Sequence, residues 1–291
     1  MMKDWKKAGK IANEALLYGK RLIEEDSSVF EVVEKVEKKI FDLGGKPAFP
    51  AQVSINEMAA HFTPIKDDLK FKKNDVVKLD VGAHINGAIG DNALTVDLGD
   101  NKELLKASEE ALKQAIKVVQ IGTQLREIGK TIDETISGYG FKPIKNLSGH
   151  SIDIYEQHSG TTIPNYDDGN DTELEDGMII AIEPFATDGV GKIEEGKESG
   201  IYKMQSVKNV RNQMTREILD YIVREYKTLP FTSRWLYRKF PEFKVNFALK
   251  ILERDGIIYE YKQLLEKGKG IVSQFEHTLL VNDKVEILTK Q

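Results

Sequence analysis

The spacing of apolar residues predicts two pairs of α-helices in the first half of the chain. Apolar side chains recur every three or four positions over residues 3–24, 28–43, 102–120 and 124–137. The second of these runs opens with Ser28 and Glu31, the spacing of a capping box, and closes at Gly44 and Gly45. Helix ends are therefore predicted next to these residues.

An alternation of apolar and polar residues between the two helix pairs predicts a β-hairpin. The segments VVKLDVGAHI and AIGDNALTVDL flank Asn86-Gly87, the strongest short signal for a two-residue turn. Such a turn places Gly82 opposite Asp91. A slip of one residue would expose the apolar face of the first strand, so the register is held by Val77, Leu79 and Val81.

Further strands are predicted in GHSIDIY, GMIIAIEPF and IVSQFEHTLLV. The order helix, helix, strands therefore occurs twice along the chain, as a repeat of elements and not of letters. We interpret this repeat as an α+β fold of two similar halves that face each other across a cleft.

The stretch between the last two of these segments, residues 208–269, has helical spacing and ends in the strand-like GIIYEY. We predict that it forms an inserted helical subdomain of winged-helix shape, and that residues 1–207 and 270–291 form the other domain. The insert carries 14 Lys and Arg against 8 Asp and Glu, so its net charge is +6 and that of the remainder is −11. A basic lobe on an acidic body is expected.

Composition restricts the cellular setting and the metal chemistry. The chain has 291 residues, of which 40% are hydrophobic and 31% charged, a balance typical of soluble globular proteins. No run approaches the roughly 20 apolar residues of a membrane helix, and the N-terminus lacks a signal-peptide core, so a cytoplasmic protein is expected. The net charge of −5 gives no overall attraction to nucleic acid. Because cysteine is absent, any metal ion must be bound by histidine and carboxylate groups.

Two aspartates lie close together in the predicted hairpin. Asp80 stands two residues before Gly82, so it shares a face with Asp91 and becomes its diagonal cross-strand neighbour. The Cβ atoms of such neighbours are within roughly 7–8 Å, close enough for both carboxylates to reach a pair of metal ions. Gly82, beside Asp91, would leave room for a bound ion. The alternative is that both aspartates lie on a solvated sheet face.

Two glutamates occupy apolar segments in which an unpaired carboxylate would be costly. Glu183 lies within MIIAIEPF, and Glu276 lies between Phe275 and HTLLV. Either could pair with a buried Arg or Lys, but neither segment carries a basic residue near the acid. Together with the two aspartates, these groups carry a charge of about −4, which two divalent cations would balance.

The five histidines divide into candidate ligands, candidate substrate contacts and structural residues. His150, in LSGHS, is the best candidate for a metal ligand. His61, in AAHFTP, and His158, in EQHSG, are the best candidates for hydrogen bonds to a substrate. His84 and His277 are interpreted as core or surface residues. Oxygen ligands with one imidazole suit Mn²⁺, Fe²⁺, Co²⁺ or Zn²⁺ without ranking them.

Five segments resemble, in the same order, the signature blocks of the methionine aminopeptidases. They are AAHFTP, KLDVGAHINGAIGDNALTV, LSGHSI, AIEPFA and SQFEHT, and they extend over about residues 49–280. The resemblance implies the pseudo-symmetric α+β "pita-bread" fold. It also implies a metal site with five ligands, Asp80, Asp91, His150, Glu183 and Glu276.

The resemblance is to the type 2 class, in an archaeal-like form. The 93 positions from Glu183 to Glu276 are typical of type 2 enzymes, whereas type 1 enzymes join the corresponding strands by a much shorter connection. Eukaryotic members carry a long charged N-terminal extension that is not expected here.

The resemblance further implies a reaction and the residues that perform it. The initiator methionine would be removed from nascent proteins, with a preference for a small second residue, by attack of metal-activated water on the first peptide bond. His61 and His158 would form hydrogen bonds at the scissile carbonyl and amide, and Glu183 would also relay a proton. Phe49 would line the methionine pocket, unless it is simply a core residue.

Two other functions remain open from the sequence. One is a proline-directed relative such as a prolidase or aminopeptidase P, and the other is a non-catalytic binding protein, of a protein partner or RNA, on the same scaffold. The expected partners are the N-terminal methionyl peptides of nascent proteins, with no membrane association and a monomeric state. The positive charge of the insert is compatible with binding to the ribosome near the peptide exit, or the insert only forms a wall of the cleft.

Overall fold

The computed structural model describes residues 2–206 and 208–290, and it contains both predicted helix pairs and the hairpin. The helices described are α1 (Met2–Lys20), α2 (Val29–Asp42), α3 (Lys102–Val118), α4 (Leu125–Gly138), α5 (Gln213–Glu225), α6 (Ser233–Tyr237) and α7 (Glu242–Arg254). Among the described residues, no helix combines the length and the apolar character needed to cross a bilayer.

The strands described are short except for the two of the hairpin and two others, of 12 and 9 residues, later in the chain. They are β1 (Lys46–Pro47), β2 (Gln52–Ile55), β3 (Met58–Ala60), β4 (Val76–Ile85), β5 (Ala88–Asp97), β6 (Lys142–Pro143), β7 (Ser148–Ser151), β8 (Thr162–Pro164), β9 (Ile179–Ile182), β10 (Phe185–Thr187), β11 (Ile193–Met204), β12 (Phe231–Thr232), β13 (Ile258–Glu266), β14 (Val272–Gln274), β15 (His277–Leu280) and β16 (Glu286–Ile287).

The first half of the fold packs α1 and α2 against the β4–β5 hairpin. The predicted register is confirmed, since Gly82 lies opposite Asp91 in the antiparallel ladder. β1 and β2 both pair with the free edge of β4. The helix start is also as predicted, because Ser28 Oγ accepts a hydrogen bond from the Glu31 N–H at 3.1 Å. The apolar face of β4 is buried against the two helices.

The second half repeats this arrangement with α3 and α4 packed on a sheet in the order β16-β15-β9-β7-β8. The repeat also appears in the amino-acid sequence, whereas we predicted a repeat of secondary-structure elements only. Each helix pair ends at a glycine with positive φ, Gly44 at +81° and Gly140 at +84°. A two-residue Lys-Pro strand begins two residues after each of these glycines, β1 in the first half and β6 in the second.

The two halves are joined where β5 lies alongside β14 and β15. The Glu276 N–H donates to the Ala93 carbonyl at 3.0 Å. Asp91 lies two residues before Ala93 and Thr278 two residues after Glu276, and the Asp91 N–H donates to Thr278 Oγ1 at 2.8 Å. These bonds bring the acidic residues of the hairpin next to those of the second half.

The helices α5, α6 and α7 pack around an apolar core of their own, together with parts of β11, β12 and β13. The strand-like end of this segment is longer than predicted, because β13 extends to Glu266. It pairs with β11 and β3, which lie outside residues 208–269. The segment is therefore joined to the rest of the molecule through a shared sheet.

A buried ion pair also fastens α6 to the first helix pair. Arg234 on α6 donates to Glu37 on α2 at 2.6 and 2.8 Å, and both side chains are buried. The indole of Trp235 donates to the same carboxylate at 2.7 Å. This contact fixes the helical segment over one side of the cleft.

Candidate metal centre

Four acidic residues and one histidine from separate strands and loops come together where the two halves meet. Ligand atoms of Asp91, His150 and Glu276 all lie within 4.8 Å of one another, and all three residues are buried. His150 Nε2 lies 3.6 Å from Glu183 Oε1 and 3.8 Å from Asp91 Oδ2. Asp80 adjoins this group through Asp91. The structure thus brings together all five residues named as candidate ligands.

The two glutamates lie between strands, and the prediction that each lies within a strand was wrong. Glu183 separates β9 from β10, and Glu276 separates β14 from β15. The two ladders are interrupted at the same place, since Ile182 pairs with His277 and Phe185 with Gln274. One physical reason is the proline that follows Glu183, because proline has no N–H to donate to a ladder.

Each of these carboxylates has one oxygen held by a glutamine amide. Gln52 Nε2 donates to Asp80 Oδ2 and Gln157 Nε2 donates to Asp91 Oδ2, both at 3.1 Å. Gln274 Nε2 lies 3.3 Å from Glu183 Oε2 and 3.4 Å from Glu276 Oε2. Our sequence reasoning missed all three glutamines.

Most of the other carboxylate oxygens of this cluster have no protein partner. Three buried carboxylate oxygens accept no hydrogen bond, namely Asp80 Oδ1, Asp91 Oδ1 and Glu276 Oε1. No Lys or Arg of residues 2–206 and 208–290 forms an ion pair with any of the four acids, which disfavours the alternative of a buried basic partner. A divalent cation would satisfy these oxygens, and hard oxygen donors with an imidazole are a suitable ligand set for it.

Burial and mutual repulsion raise the pKa of these carboxyl groups. Burial raises the pKa of Asp91 to about 7. The pKa values of Asp80, Glu183 and Glu276 are raised well above their usual ranges, first by burial and then by the neighbouring acids. Burial lowers the pKa of His150 to about 4, so its imidazole is neutral at pH 7 and free to bind a metal ion.

Two further histidines stand at the opening of the cluster. His61 and His158 line a cavity of about 390 Å³ together with His150 and Glu183. The rings of His150 and His158 have centroids 4.4 Å apart, and His61 packs edge-on against Tyr261 at 5.0 Å. Burial lowers the pKa of His61 to about 4. Both imidazoles therefore face the space in front of the acidic cluster.

Phe49 lies beside the cluster and not in a distant part of the core. It is 1% exposed and lines a small cavity of about 20 Å³ that also touches His61 and His158. Its ring occupies the space over Gly82, where an added Cβ would lie 2.2 Å from Phe49 Cε1. The expectation that Gly82 leaves room for an ion was wrong, because the aromatic ring fills that room.

The remaining two histidines make contacts outside the cluster. His84 Nδ1 accepts a hydrogen bond from the Gly87 N–H at 3.2 Å, and its ring packs edge-on against Tyr155. His277 Nδ1 lies 3.0 Å from Thr289 Oγ1. Both contacts stabilise local structure.

Comparisons with known proteins agree with this geometry. A model of metallopeptidase family M24 matches residues 3–283. The methionine aminopeptidase of Archaeoglobus fulgidus is 50% identical over 277 residues, covering 95% of this chain and 94% of that protein. The methionine aminopeptidase of Methanocaldococcus jannaschii is 46% identical over 286 residues, covering 97% and 96%.

A solved structure of methionine aminopeptidase from Thermotoga maritima shares the fold, with a TM-score of 0.72 at 27% identity over 99% of this chain and 96% of that one. The predicted α+β pita-bread architecture is thus confirmed, and the structure has a buried group able to hold a divalent metal ion. The chain belongs to metallopeptidase family M24 and, within it, is similar to the type 2 methionine aminopeptidases.

Proposed function

We propose that this protein removes the N-terminal methionine from nascent proteins by hydrolysis of the first peptide bond, with a preference for a small second residue. The observation that carries the proposal is the acidic cluster itself, in which three buried carboxylate oxygens have no protein partner. The identity of 40–50% to archaeal methionine aminopeptidases over nearly the whole chain supports this choice over a proline-directed peptidase or a non-catalytic binding protein.

The proposed site holds two divalent ions, drawn from Mn²⁺, Fe²⁺, Co²⁺ and Zn²⁺. Two such ions balance the four carboxylates, and their ligands would be Asp80, Asp91, His150, Glu183 and Glu276. When bound, the ions would supply Lewis acidity and a water molecule of lowered pKa. Asp91, His150 and Glu276 are buried, and the cluster meets the cavity through His150 and Glu183.

The side chains of the cavity have separate proposed roles. His61 and His158 face the space that a scissile peptide would occupy, where neutral imidazoles can donate or accept hydrogen bonds at the carbonyl and the amide. Glu183 lies at the cavity wall beside His150 and His158, a position suited to a carboxylate that accepts a proton from water and returns it to the leaving amine. Phe49 lines the adjacent pocket for the methionine side chain.

The helical segment 208–269 is proposed to be an inserted subdomain on the catalytic body formed by residues 1–207 and 270–291. Its proposed winged-helix shape is supported by α5, α6 and α7 and the strands that share their core. The buried pair Arg234–Glu37 holds this segment against α2, which supports the proposal that the segment forms a wall of the cleft. Ribosome binding through its positive charge is a further expectation, as are a cytoplasmic location and a monomeric state.

The test combines metal content with a substrate panel. Protein purified without chelator should contain two divalent ions per chain by elemental analysis, and it should cleave Met-Ala-Ser but not X-Pro peptides. Chelation should abolish cleavage, and added Mn²⁺ or Co²⁺ should restore it. Cleavage of Met-Ala-Ser that survives complete metal removal, or a preference for X-Pro substrates, would contradict the proposal.

A further inference from the structure

Gln52 and Gln157 stand in equivalent relations to the two aspartates of the hairpin. Each is buried, and each donates one amide N–H to the Oδ2 atom of an aspartate at 3.1 Å. In both aspartates the Oδ1 atom is buried and has no partner. The two glutamines come from different halves of the fold, Gln52 from β2 and Gln157 from the loop after β7.

Each glutamine is also tied to one of the two cavity histidines. Gln52 Oε1 accepts a hydrogen bond from the His61 N–H at 2.9 Å, and His61 has a positive φ of +61° that needs such support. Gln157 directly precedes His158 in the chain. Both glutamines line the same small cavity with Phe49. The pair therefore connects the aspartates to the residues around the substrate.

A neutral amide is suited to holding a carboxylate that must also bind a cation. A hydrogen bond to Oδ2 stops rotation of the carboxylate and directs the lone pairs of Oδ1 into the cluster. A Lys or Arg in the same place would cancel the negative charge on which a metal ion depends. For Gln52, the bond from the His61 N–H fixes which end of the amide faces Asp80.

We propose that Gln52 and Gln157 are positioning residues for the metal centre, each of which orients one aspartate, and that Gln52 additionally fixes His61. The proposal rests on the proposed metal-dependent function. It predicts that the two glutamines differ in effect: loss of Gln157 acts chiefly by weakening metal binding, whereas loss of Gln52 weakens metal binding and also removes the hydrogen bond that holds His61.

The test uses Gln52→Met and Gln157→Met in the full chain, because methionine has a similar size and cannot donate the hydrogen bond. Mn²⁺ affinity of the metal-stripped proteins is measured by calorimetry. Each variant should bind Mn²⁺ about 10–100-fold more weakly than the parent protein, the usual effect of removing a partner of a metal ligand. The matched control is Gln120→Met, an exposed residue, which should leave the affinity unchanged.

Kinetics at saturating Mn²⁺ separate the two roles. The kcat of Gln157→Met should recover more fully than that of Gln52→Met, because only Gln52 also supports the His61 backbone. Should either methionine variant fail to fold, Gln52→Asn and Gln157→Asn replace them, since these keep the amide but withdraw it by one methylene group.

The outcomes distinguish this inference from the function on which it rests. Parent protein that binds no Mn²⁺ would overturn both. Parent protein that binds Mn²⁺ while both glutamine variants bind it equally well would overturn the positioning roles alone. Equal kcat values for Gln52→Met and Gln157→Met at saturating metal would overturn the link from Gln52 to His61.

Discussion

Asp91 and Thr278 are joined by a reciprocal pair of hydrogen bonds across the junction of the two halves. The Asp91 N–H donates to Thr278 Oγ1 at 2.8 Å, and the same hydroxyl donates back to the Asp91 carbonyl at 2.7 Å. Both residues are buried. One side-chain hydroxyl therefore satisfies both backbone groups of the residue at the centre of the acidic cluster.

Thr278→Val removes this hydroxyl at nearly constant volume and should destabilise the protein. It leaves two buried backbone groups unpaired, at about 1–3 kcal/mol for each lost partner. The free energy of unfolding from denaturant titration should fall by about 2–6 kcal/mol, and Mn²⁺ affinity should fall with it because Asp91 loses its anchor. The control Thr131→Val, at a half-buried helix position whose hydroxyl bonds only the Glu127 carbonyl of its own helix, should change either quantity little.

Asp91→Asn should have opposite effects on stability with and without metal. The metal-stripped variant should be more stable than the parent at pH 8, on the order of a few kcal/mol, because a buried carboxylate and its repulsion are removed. Added Mn²⁺ should raise the melting temperature of the parent but not of the variant, and cleavage of Met-Ala-Ser should fall by more than about 100-fold. A stripped variant less stable than the parent would contradict this account.

The stability of the metal-stripped protein should fall as the pH rises from about 6.5 to 8. In this range the folded cluster keeps protons that the unfolded chain has already lost, because its carboxyl pKa values are raised, that of Asp91 to about 7. The loss is about 1.4 kcal/mol per pH unit for each extra proton bound in the folded state. Denaturant titrations at several pH values measure it.

The lower limit of that range is set by the buried histidines. The pKa values of His61 and His150 in the folded protein are about 4, below the usual 6.5. Below pH 6.5 these histidines bind more protons in the unfolded chain than in the folded one, so they make stability rise with pH and oppose the effect of the carboxyl groups. Saturating Mn²⁺ should remove the decline above pH 6.5, since metal binding displaces the protons of the cluster. A rise in stability of the stripped protein across this range would contradict the raised pKa values.

Arg234→Met should destabilise the protein by about 3 kcal/mol, because the buried Glu37 carboxylate loses its bidentate partner and keeps only the Trp235 indole, the Ala51 N–H and Arg238 at 3.9 Å. The helical segment should loosen first, which hydrogen exchange in α6 and α7 would detect. Arg211→Met, at an exposed position, serves as the control. Equal exchange rates in the two variants would show that the ion pair does not fasten the segment.

Gly82→Ala should alter substrate binding without touching a ligand. The added Cβ would meet the Phe49 ring at 2.2 Å, so the ring must move into the neighbouring cavity. KM for Met-Ala-Ser should rise about tenfold or more, as expected for a loss of at least about 1.4 kcal/mol of binding energy. The Mn²⁺ affinity should remain close to that of the parent, and an unchanged KM would argue against Phe49 as part of the pocket.

The sequence predicted those features that depend on short-range patterns. The register of β4 and β5 followed from the Asn86-Gly87 turn alone, and it placed Asp80 and Asp91 correctly. The two glutamates could be added to these aspartates because each stood in an apolar segment where charge needs compensation. Gln274 was missed but could have been predicted in the same way, since it lies two positions before Glu276 and thus on the same side of an extended chain.

The features that were missed depend on long-range pairing. Gln52 meets Asp80 only because β2 adds to the edge of β4, a pairing that no local pattern announces. The contact of Gln157 with Asp91 spans the two halves and depends on how they dock. The interruption of the strand at Glu183 did have a local signal, the proline that follows it. We overlooked this signal because the apolar segment around it was interpreted as one continuous strand.

The candidate ligands are spread over 196 positions of the chain, from Asp80 to Glu276, and come from both halves. Neither half alone can therefore bind the ions with full affinity, and an ion added during folding finds its site only after β5 has docked on β15. Metal should accordingly slow the opening of the folded molecule far more than it hastens the early steps of folding. The metal centre would then also stabilise the contact between the two halves.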